Sequence, residues 1–248
     1  MATQSRTLRS DTPLAVELTA ALKQGNVEAL GRLLAGDPEL ARCSVEDRKG
    51  GRRTLLHIVA DWPGHIPNAA PIVQALVAAG ADVNAAPAGG KFREAPLYWA
   101  ASSDDVALID ALLDAGANIE QEGSSIDGGP PLSCAVGYGQ WMAARRLVEH
   151  GAQTHIWHEA ALGLMPALTR RFEADVSIAS EDLSGAFWNA CHGGQLAAAQ
   201  YLLARGAELN WPAPWSGQTP LDIAEKAECS VIVTWLLEQG ATRGTTGA

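Results

Sequence analysis

The sequence predicts an all-α solenoid of about seven helix pairs joined by short turns or β-hairpins. The first observation is a Gly-Ala dipeptide that recurs at the end of apolar helical runs. Its glycines are Gly80, Gly116, Gly151, Gly206 and Gly240, spaced by 36, 35, 55 and 34 residues. The second observation is the composition, 47% hydrophobic and 19% charged, which is that of a folded chain. The spacing of 55 equals one repeat plus a 20-residue insertion.

A shorter helix precedes each of these runs and completes a pair. The segments are TLLHIVA from Thr54, APLYWAA from Ala95, PPLSCAV from Pro130, AFWNACHGG from Ala186 and TPLDIAE from Thr219. A Thr-Pro-Leu start is physically sensible, because Thr caps the helix and Pro occupies the first turn, where no amide partner is lost. The Gly after the second helix supplies a left-handed terminal residue.

These motifs resemble the ankyrin repeat, whose signature is T-P-L-H-x-A over about 33 residues. The matching segments are Thr54-Leu55-Leu56-His57, Ala95-Pro96-Leu97-Tyr98 and Thr219-Pro220-Leu221-Asp222, with Asn84 and Asn210 after the Gly-Ala runs. The sequences of the segments LYWAASSDDV and FWNACHGGQ are also similar to those of bacterial single-domain ankyrin proteins. The resemblance implies an ankyrin-repeat solenoid with short β-hairpin or turn fingers.

The domain organisation follows from the repeats. We expect a flexible N-terminus at 1–13, one ankyrin-repeat domain at 14–243 and a tail at 244–248. Within the domain the expected units are an N-terminal cap pair at 14–41, repeats at about 52–85, 93–120 and 130–155, a short pair at 156–175, and repeats at 183–210 and 217–241.

Charge and composition exclude several classes of function. The net charge is −10 and no basic stripe is present, which argues against nucleic acid and anionic membranes. The four cysteines form no C-x-x-C pair, so we expect free thiols, a cytoplasmic protein and no metal. No signal peptide or long apolar run is visible. We expect no cofactor and a monomer.

The resemblance also indicates which side chains face the concave surface. Large aromatic rings with polar neighbours are typical of binding surfaces, because they bury much area at low entropic cost. The candidate binding residues are Trp62, Trp99, Ser102, Asp104, Tyr138, His158, Asn189, His192, Trp211 and Trp215. Packing inside the repeats remains an alternative for the four tryptophans among them. His57 is the motif histidine, which in this family commonly bonds neighbouring backbone and orders the finger.

Two functional hypotheses stay open. The first is a binding module that presents an aromatic and acidic concave groove to a protein partner, and the negative net charge favours a basic one. The alternative is a small-molecule-binding protein or a non-hydrolytic enzyme with an acid–base pocket on the concave face. Its candidate catalytic residues are Asp61, His65, Tyr138 and His192, since a carboxylate can orient a histidine that exchanges protons.

Two local features have their own interpretation. The stretch ADWPGHIPNAAP at 60–71 is a five-residue insertion between the two helices of one repeat. Pro63 is expected to end the first helix, Pro71 to lie in the first turn of the second, and the loop to curl over the edge of the groove. Asp104 either faces the groove or caps the next helix, and capping is the preferred interpretation.

Overall fold

The structure is a computed structural model that describes residues 6–87, 93–174 and 178–244. The chain divides into two compact units, unit 1 at Met1–Ala152 and unit 2 at Gln153–Ala248. Each unit is described by itself below. No helix within the described residues is long and apolar enough to cross a membrane.

Unit 1 contains four helix pairs. They are α1 Pro13–Lys23 and α2 Val27–Gly36, α3 Leu55–Ala60 and α4 Ala69–Ala78, α5 Pro96–Ser102 and α6 Val106–Asp114, and α7 Pro131–Gly137 and α8 Trp141–Glu149. The first helices of the pairs (α1, α3, α5, α7) pack in one row, and the second helices (α2, α4, α6, α8) pack in another. Two layers of helices thus enclose the core of this unit.

A small sheet forms the first finger of unit 1. Strands β1 Thr7–Arg9, β2 Ser44–Glu46 and β3 Arg52–Thr54 pair in that order, the first two parallel and the last two antiparallel. The expectation of a flexible N-terminus at 1–13 is therefore wrong for the strand, because Leu8 is buried and Thr7–Arg9 is hydrogen-bonded to β2. Residues 1–5 lie outside the described residues.

Unit 2 contains three helix pairs. They are α9 Ile156–Leu162 and α10 Met165–Glu173, α11 Ser180–His192 and α12 Leu196–Leu203, and α13 Pro220–Lys226 and α14 Ser230–Glu238. The central α11 packs against α9, α12 and α13. The core of unit 2 is built of small and aliphatic side chains around Phe187 and Trp188. Of the predicted tail at 244–248, Gly244 donates its amide to Asp222, and residues 245–248 lie outside the described residues.

The fold class predicted from the sequence is confirmed, with fourteen α-helices in seven pairs among the described residues. The predicted helix starts are also present. Thr54 and Thr219 each accept the amide of the third residue of the helix they cap. Gly80 and Gly116, which follow second helices, have positive φ values of 99° and 92°. The domain boundaries within 14–243 stay a prediction.

Capping between α5 and α6 differs from the expectation. Asp105, and not Asp104, is the N-cap of α6, and its Oδ1 accepts the Leu108 amide at 3.0 Å. Asp104 has a positive φ of 55°, which turns its side chain to the next pair. There its Oδ1 accepts the Ala143 amide in the first turn of α8 at 2.7 Å. The two neighbouring carboxylates therefore cap two different helices.

The inserted loop between α3 and α4 is tied to its neighbours on both sides. The amide of His65 donates to Asp105 Oδ2 at 2.5 Å, and its ring Nε2 donates to the Ser103 carbonyl at 3.1 Å. The side-chain amide of Asn68 donates to the Gly25 carbonyl at 3.0 Å. As expected, Pro63 lies beyond the end of α3 and Pro71 lies in the first turn of α4. The loop therefore links three consecutive helix pairs.

Replacing Asp105 by Ala should lower the free energy of unfolding by about 2 kcal/mol, because it removes a buried cap and leaves the His65 amide unsatisfied. Urea denaturation of the purified variant measures this. The matched control is Asp114→Ala at the opposite, exposed end of α6. A loss no larger than that of the control would contradict the assigned role.

Candidate functional site

A cavity of about 220 Å³ opens between the first helices of unit 1. It is lined by Ala60, Asp61, Trp62, Glu94, Tyr98, Trp99, Ser102, Ser103, Ser125, Cys134 and Tyr138. Five of these residues, Asp61, Trp62, Trp99, Ser102 and Tyr138, are among the candidates selected from the sequence. We call this space the aromatic cavity.

Two buried side chains, Tyr98 and Cys134, form the deep end of the aromatic cavity. The Tyr98 hydroxyl donates to the Gln121 carbonyl, which fixes the ring. Burial raises the pKa of the Tyr98 phenol and raises the pKa of the Cys134 thiol to about 11. Both groups are therefore neutral at neutral pH, and Cys134 is not a reactive thiolate.

Three aromatic rings line the outer part of the cavity. Trp62 follows α3 and is 80% exposed, while Tyr138 caps the end of α7 and is 51% exposed. Trp99 lies on α5 and is half-buried, with its ring 4.9 Å from that of His57 in an edge-on contact. Exposed large rings at the mouth of a cavity are available to a partner without rearrangement of the core.

Two polar residues of the aromatic cavity, Glu94 and Ser125, come from the fingers. Glu94 precedes α5, and its Oε1 accepts the Ser125 amide at 2.7 Å. The Ser125 hydroxyl lies 3.4 Å from the Tyr138 hydroxyl. His57 donates from Nε2 to the Glu94 carbonyl at 2.9 Å, because a carbonyl can only accept, and its Nδ1 accepts from the Thr54 hydroxyl at 2.7 Å. The finger holding Glu94 is thereby anchored to α3.

A second cavity of about 320 Å³ adjoins the first in unit 1. It is lined by Ser10, Val16, Thr19, Ala20, Lys23, Val45, Arg53, Ile58 and Asp61. Asp61 lines both cavities, and we call the two together the unit-1 groove. The Asp61 carboxylate pairs with Arg53 at 2.7 Å and lies 3.8 Å from the Lys23 ammonium. The negative charge of Asp61 is therefore balanced by neighbouring cations.

The structure does not assemble the four candidate catalytic residues into an acid–base group. Asp61 and Tyr138 line the same cavity, but Asp61 is engaged by Arg53. His65 contacts Ser103 and Asp105 instead of Asp61. His192 belongs to unit 2, where its ring lies 5.5 Å from that of Trp188.

Two of the candidate binding residues in unit 2 are buried and cannot meet a partner. His158 is fully buried at the third residue of α9, and its Nδ1 accepts the His155 amide at 3.0 Å. It occupies the position of the motif histidine, so the register assumed from the sequence was wrong. Asn189 is buried in α11, where its amide donates to the Gly185 carbonyl at 2.9 Å. Asp104 is likewise occupied by its cap on α8.

Three tryptophans of unit 2, Trp188, Trp211 and Trp215, form a cluster of edge-on rings. The Trp215 ring lies 5.4 Å from that of Trp188 and 5.8 Å from that of Trp211. Trp188 is buried and donates Nε1–H to the Gln218 carbonyl at 2.9 Å. Trp215 itself is 64% exposed. Of the predicted aromatic contacts in this unit, Trp215 is the ring that is mainly open to solvent, while Trp211 is half-buried.

Several residues of the groove are not among the candidates selected from the sequence. Arg53 and Glu94 each stand one residue before the repeat motif, and both reach the groove. This shared position is a signal from which both could have been found. Lys23 and Val16 were also missed, although α1 begins with Thr12-Pro13-Leu14, the T-P-L start that sets the register of the helix. Among the described residues, no group of three or more His, Cys, Asp or Glu side chains could hold a metal.

These helix pairs, with their fingers and a groove lined by the first helices of unit 1, define a tandem-repeat protein. Residues 56–158 match the model of the family described as ankyrin repeats in three copies. The crystal structure of the human ASB11 ankyrin repeat domain is similar in fold, with a TM-score of 0.52 and 20% identity over 87% of this chain and 96% of that one. No curated protein matches the sequence.

The chain thus has the fold of an ankyrin repeat domain, and its residues 56–158 match ankyrin repeats in sequence. Ankyrin repeats generally mediate protein–protein interaction, which supports the expected binding module.

The buried histidines make the stability of the fold depend on pH. Burial lowers the pKa of His57 from 6.5 to about 4, and lowers those of His158 and His192 to about 3 and about 4. Below pH 6.5 the unfolded chain therefore binds protons that the folded chain does not. The contribution of these three histidines to the free energy of unfolding is fully present above pH 6.5, and it decreases as the pH falls toward 4.

We expect His57 to account for about 1–2 kcal/mol of this loss between pH 7 and pH 5. His57→Gln should make the slope of unfolding free energy against pH shallower, as measured by denaturation at a series of pH values. The control is His65→Gln, whose ring is 60% exposed. An unchanged slope in His57→Gln would show that His57 is not a titrating group of the fold.

Proposed function

We propose that the protein is a binding module that captures a segment of a partner protein in the unit-1 groove. The observation that carries the proposal is the presence of Trp62, Trp99 and Tyr138 around one cavity, with Trp62 and Tyr138 largely exposed. Rigid aromatic rings at the centre of a surface are the side chains that most often dominate binding energy. The adjoining second cavity extends the surface toward α1.

The size and shape of the groove favour a polypeptide side chain over a larger free ligand. The aromatic cavity has about 220 Å³, below the ~300 Å³ at which sites for drug-sized ligands begin. It lies in a row of first helices, so an extended segment of a partner can place successive side chains in neighbouring cavities. The net charge of −10 favours a basic partner by faster association and by rejection of acidic competitors.

Catalysis is supported less well by the same geometry. Asp61 is paired with a cation, His65 is committed to the loop, and Cys134 is protonated. A small polar ligand remains the second candidate, because serine hydroxyls and Glu94 share the aromatic cavity. The cytoplasmic location and the monomeric state stay predictions.

Trp62→Ala and Tyr138→Ala should each weaken binding at least tenfold, since a central aromatic anchor contributes about 2 kcal/mol or more. The probe is a set of peptides selected from a random displayed library against the full-length protein. Affinities are measured by fluorescence anisotropy. Met142→Ala is the matched control, because Met142 is 67% exposed on α8 and lines neither cavity.

Thermal unfolding of each variant separates a lost contact from a lost fold. Both aromatic side chains are largely exposed, so their removal should leave the stability within about 0.5 kcal/mol of the parent. Selected peptides that bind Trp62→Ala and Tyr138→Ala as tightly as the parent would refute the groove as the binding site.

Trp215 offers a second, independent contact in unit 2. Its ring is supported by Trp188 and Trp211 and presents its outer face to solvent. We infer that it contributes to partner binding from that unit. Trp215→Ala should weaken the binding of an intact partner protein but leave the short groove-bound peptides unaffected, and a loss of peptide affinity would contradict that division.

A further inference from the structure

The aromatic cavity combines rings with a carboxylate that has no ion-pair partner within the part of the chain that the structure describes. Trp62, Trp99 and Tyr138 line its outer part and Tyr98 closes its deep end. Aromatic faces attract cations through the electron-rich centre of the ring, and the attraction grows when the cation is desolvated. A cavity lined in this way recognises positive charge on an apolar stem.

Glu94 supplies the negative charge. Among the described residues, no ion pair within 4.0 Å engages its carboxylate, in contrast to Asp61, which Arg53 and Lys23 neutralise. The position of Glu94 is fixed from two sides, because His57 binds its carbonyl and the Ser125 amide binds Oε1. The charge is therefore held at the cavity wall and not on a freely rotating side chain.

We propose that the aromatic cavity is a cage for one alkylammonium group, the side chain of a lysine or an N-methylated lysine in the partner segment. The proposal rests on the proposed function, because the lysine belongs to the segment held in the unit-1 groove. It deepens that function by assigning the chemistry of the central anchor.

The arrangement around Glu94 favours an ammonium over a guanidinium. Arginine binds carboxylates best through two parallel hydrogen bonds, which need both oxygens of the acceptor. Here Oε1 already accepts the Ser125 amide at 2.7 Å, which orients the carboxylate and leaves fewer acceptor sites for such a pair. An ammonium is a compact point charge that needs no such fork, and its methylene stem can pack between the rings.

The size of the cavity agrees with a single side chain. A volume of about 220 Å³ accommodates the end of one lysine, with or without methyl groups, but not a folded element of a partner. The serine hydroxyls of Ser102, Ser103 and Ser125 lie in the same lining and can accept from an unmethylated ammonium. Methylation replaces those hydrogen bonds by contact with the rings.

The test is a titration of the full-length protein, followed by NMR of the tryptophan indole N–H signals and of the backbone amides. The probes are Nα-acetyl methylamides of lysine, trimethyllysine, arginine and norleucine, the last being a neutral isostere of lysine. We expect lysine or trimethyllysine to bind at least about fivefold more tightly than norleucine, and more tightly than arginine. The shifted signals should belong to residues of the aromatic cavity.

Glu94→Gln should remove most of this preference, while the side-chain carbonyl oxygen of the glutamine still accepts from the Ser125 amide. Glu122→Gln, which alters an exposed carboxylate outside the cavity lining, is the matched control. If Glu94→Gln does not fold, the comparison of the four probes on the parent protein still decides.

The proposal is overturned if norleucine or arginine binds as tightly as the two ammonium probes, if no probe shifts the cavity signals at its solubility limit, or if a folded Glu94→Gln keeps the preference. These results are separate from those of the peptide experiment. Selected peptides that need Trp62 and Tyr138 but tolerate replacement of their lysines by norleucine would keep the groove and exclude the cage. If the cavity prefers the ammonium probes but no selected peptide needs Trp62 or Tyr138, the cage is kept and the groove is excluded as the peptide-binding site.

Discussion

The buried ring of His57 is the contact on which the rest of the candidate site depends. It accepts from Thr54 at the start of its own helix and donates to the carbonyl of Glu94 in the next finger. Of the two neutral tautomers, the one with its proton on Nε2 makes both bonds, and burial favours the neutral ring by lowering its pKa to about 4. The edge of the same ring packs on Trp99. One side chain thus contacts a helix start, the backbone of the finger that carries Glu94 and an aromatic wall of the cavity.

The third residue of a first helix has a related role in other repeats, although its chemistry changes. In unit 1 the hydroxyl of Tyr98 reaches the Gln121 carbonyl in the following finger. In unit 2 His158 accepts the amide of its own cap residue, and Asp222 accepts that of Thr219. The two bonds in unit 2 each satisfy an amide that the helix start would otherwise leave without a partner. The third residue of the first helix therefore has a structural role, and its side chain determines which hydrogen bond it makes to the helix start or to the adjacent finger.

The repeat pattern predicted the fold because its signals are local. Caps, first-turn prolines and terminal glycines depend on a few neighbouring residues, so seven helix pairs could be counted directly from the sequence. The site was predictable only where the motif fixed the register, as for Trp62, Trp99 and Tyr138. His158 was misplaced because its short pair has no finger to set the register. Asp104 was misassigned because its partner, the amide of Ala143, lies 39 residues away along the chain.

The two residues that precede the motif explain how one scaffold can present different chemistry. Arg53 neutralises Asp61 in one part of the unit-1 groove, while Glu94 leaves a negative charge in the next. Neither side chain belongs to the buried core, so a change in either alters the charge of the groove at little cost in packing. The rings are constrained differently, because Trp99 must also pack on His57. Under the proposed function, we therefore expect selectivity for a partner to rest on the finger residues, and the capacity to bind at all to rest on rings that the helices position.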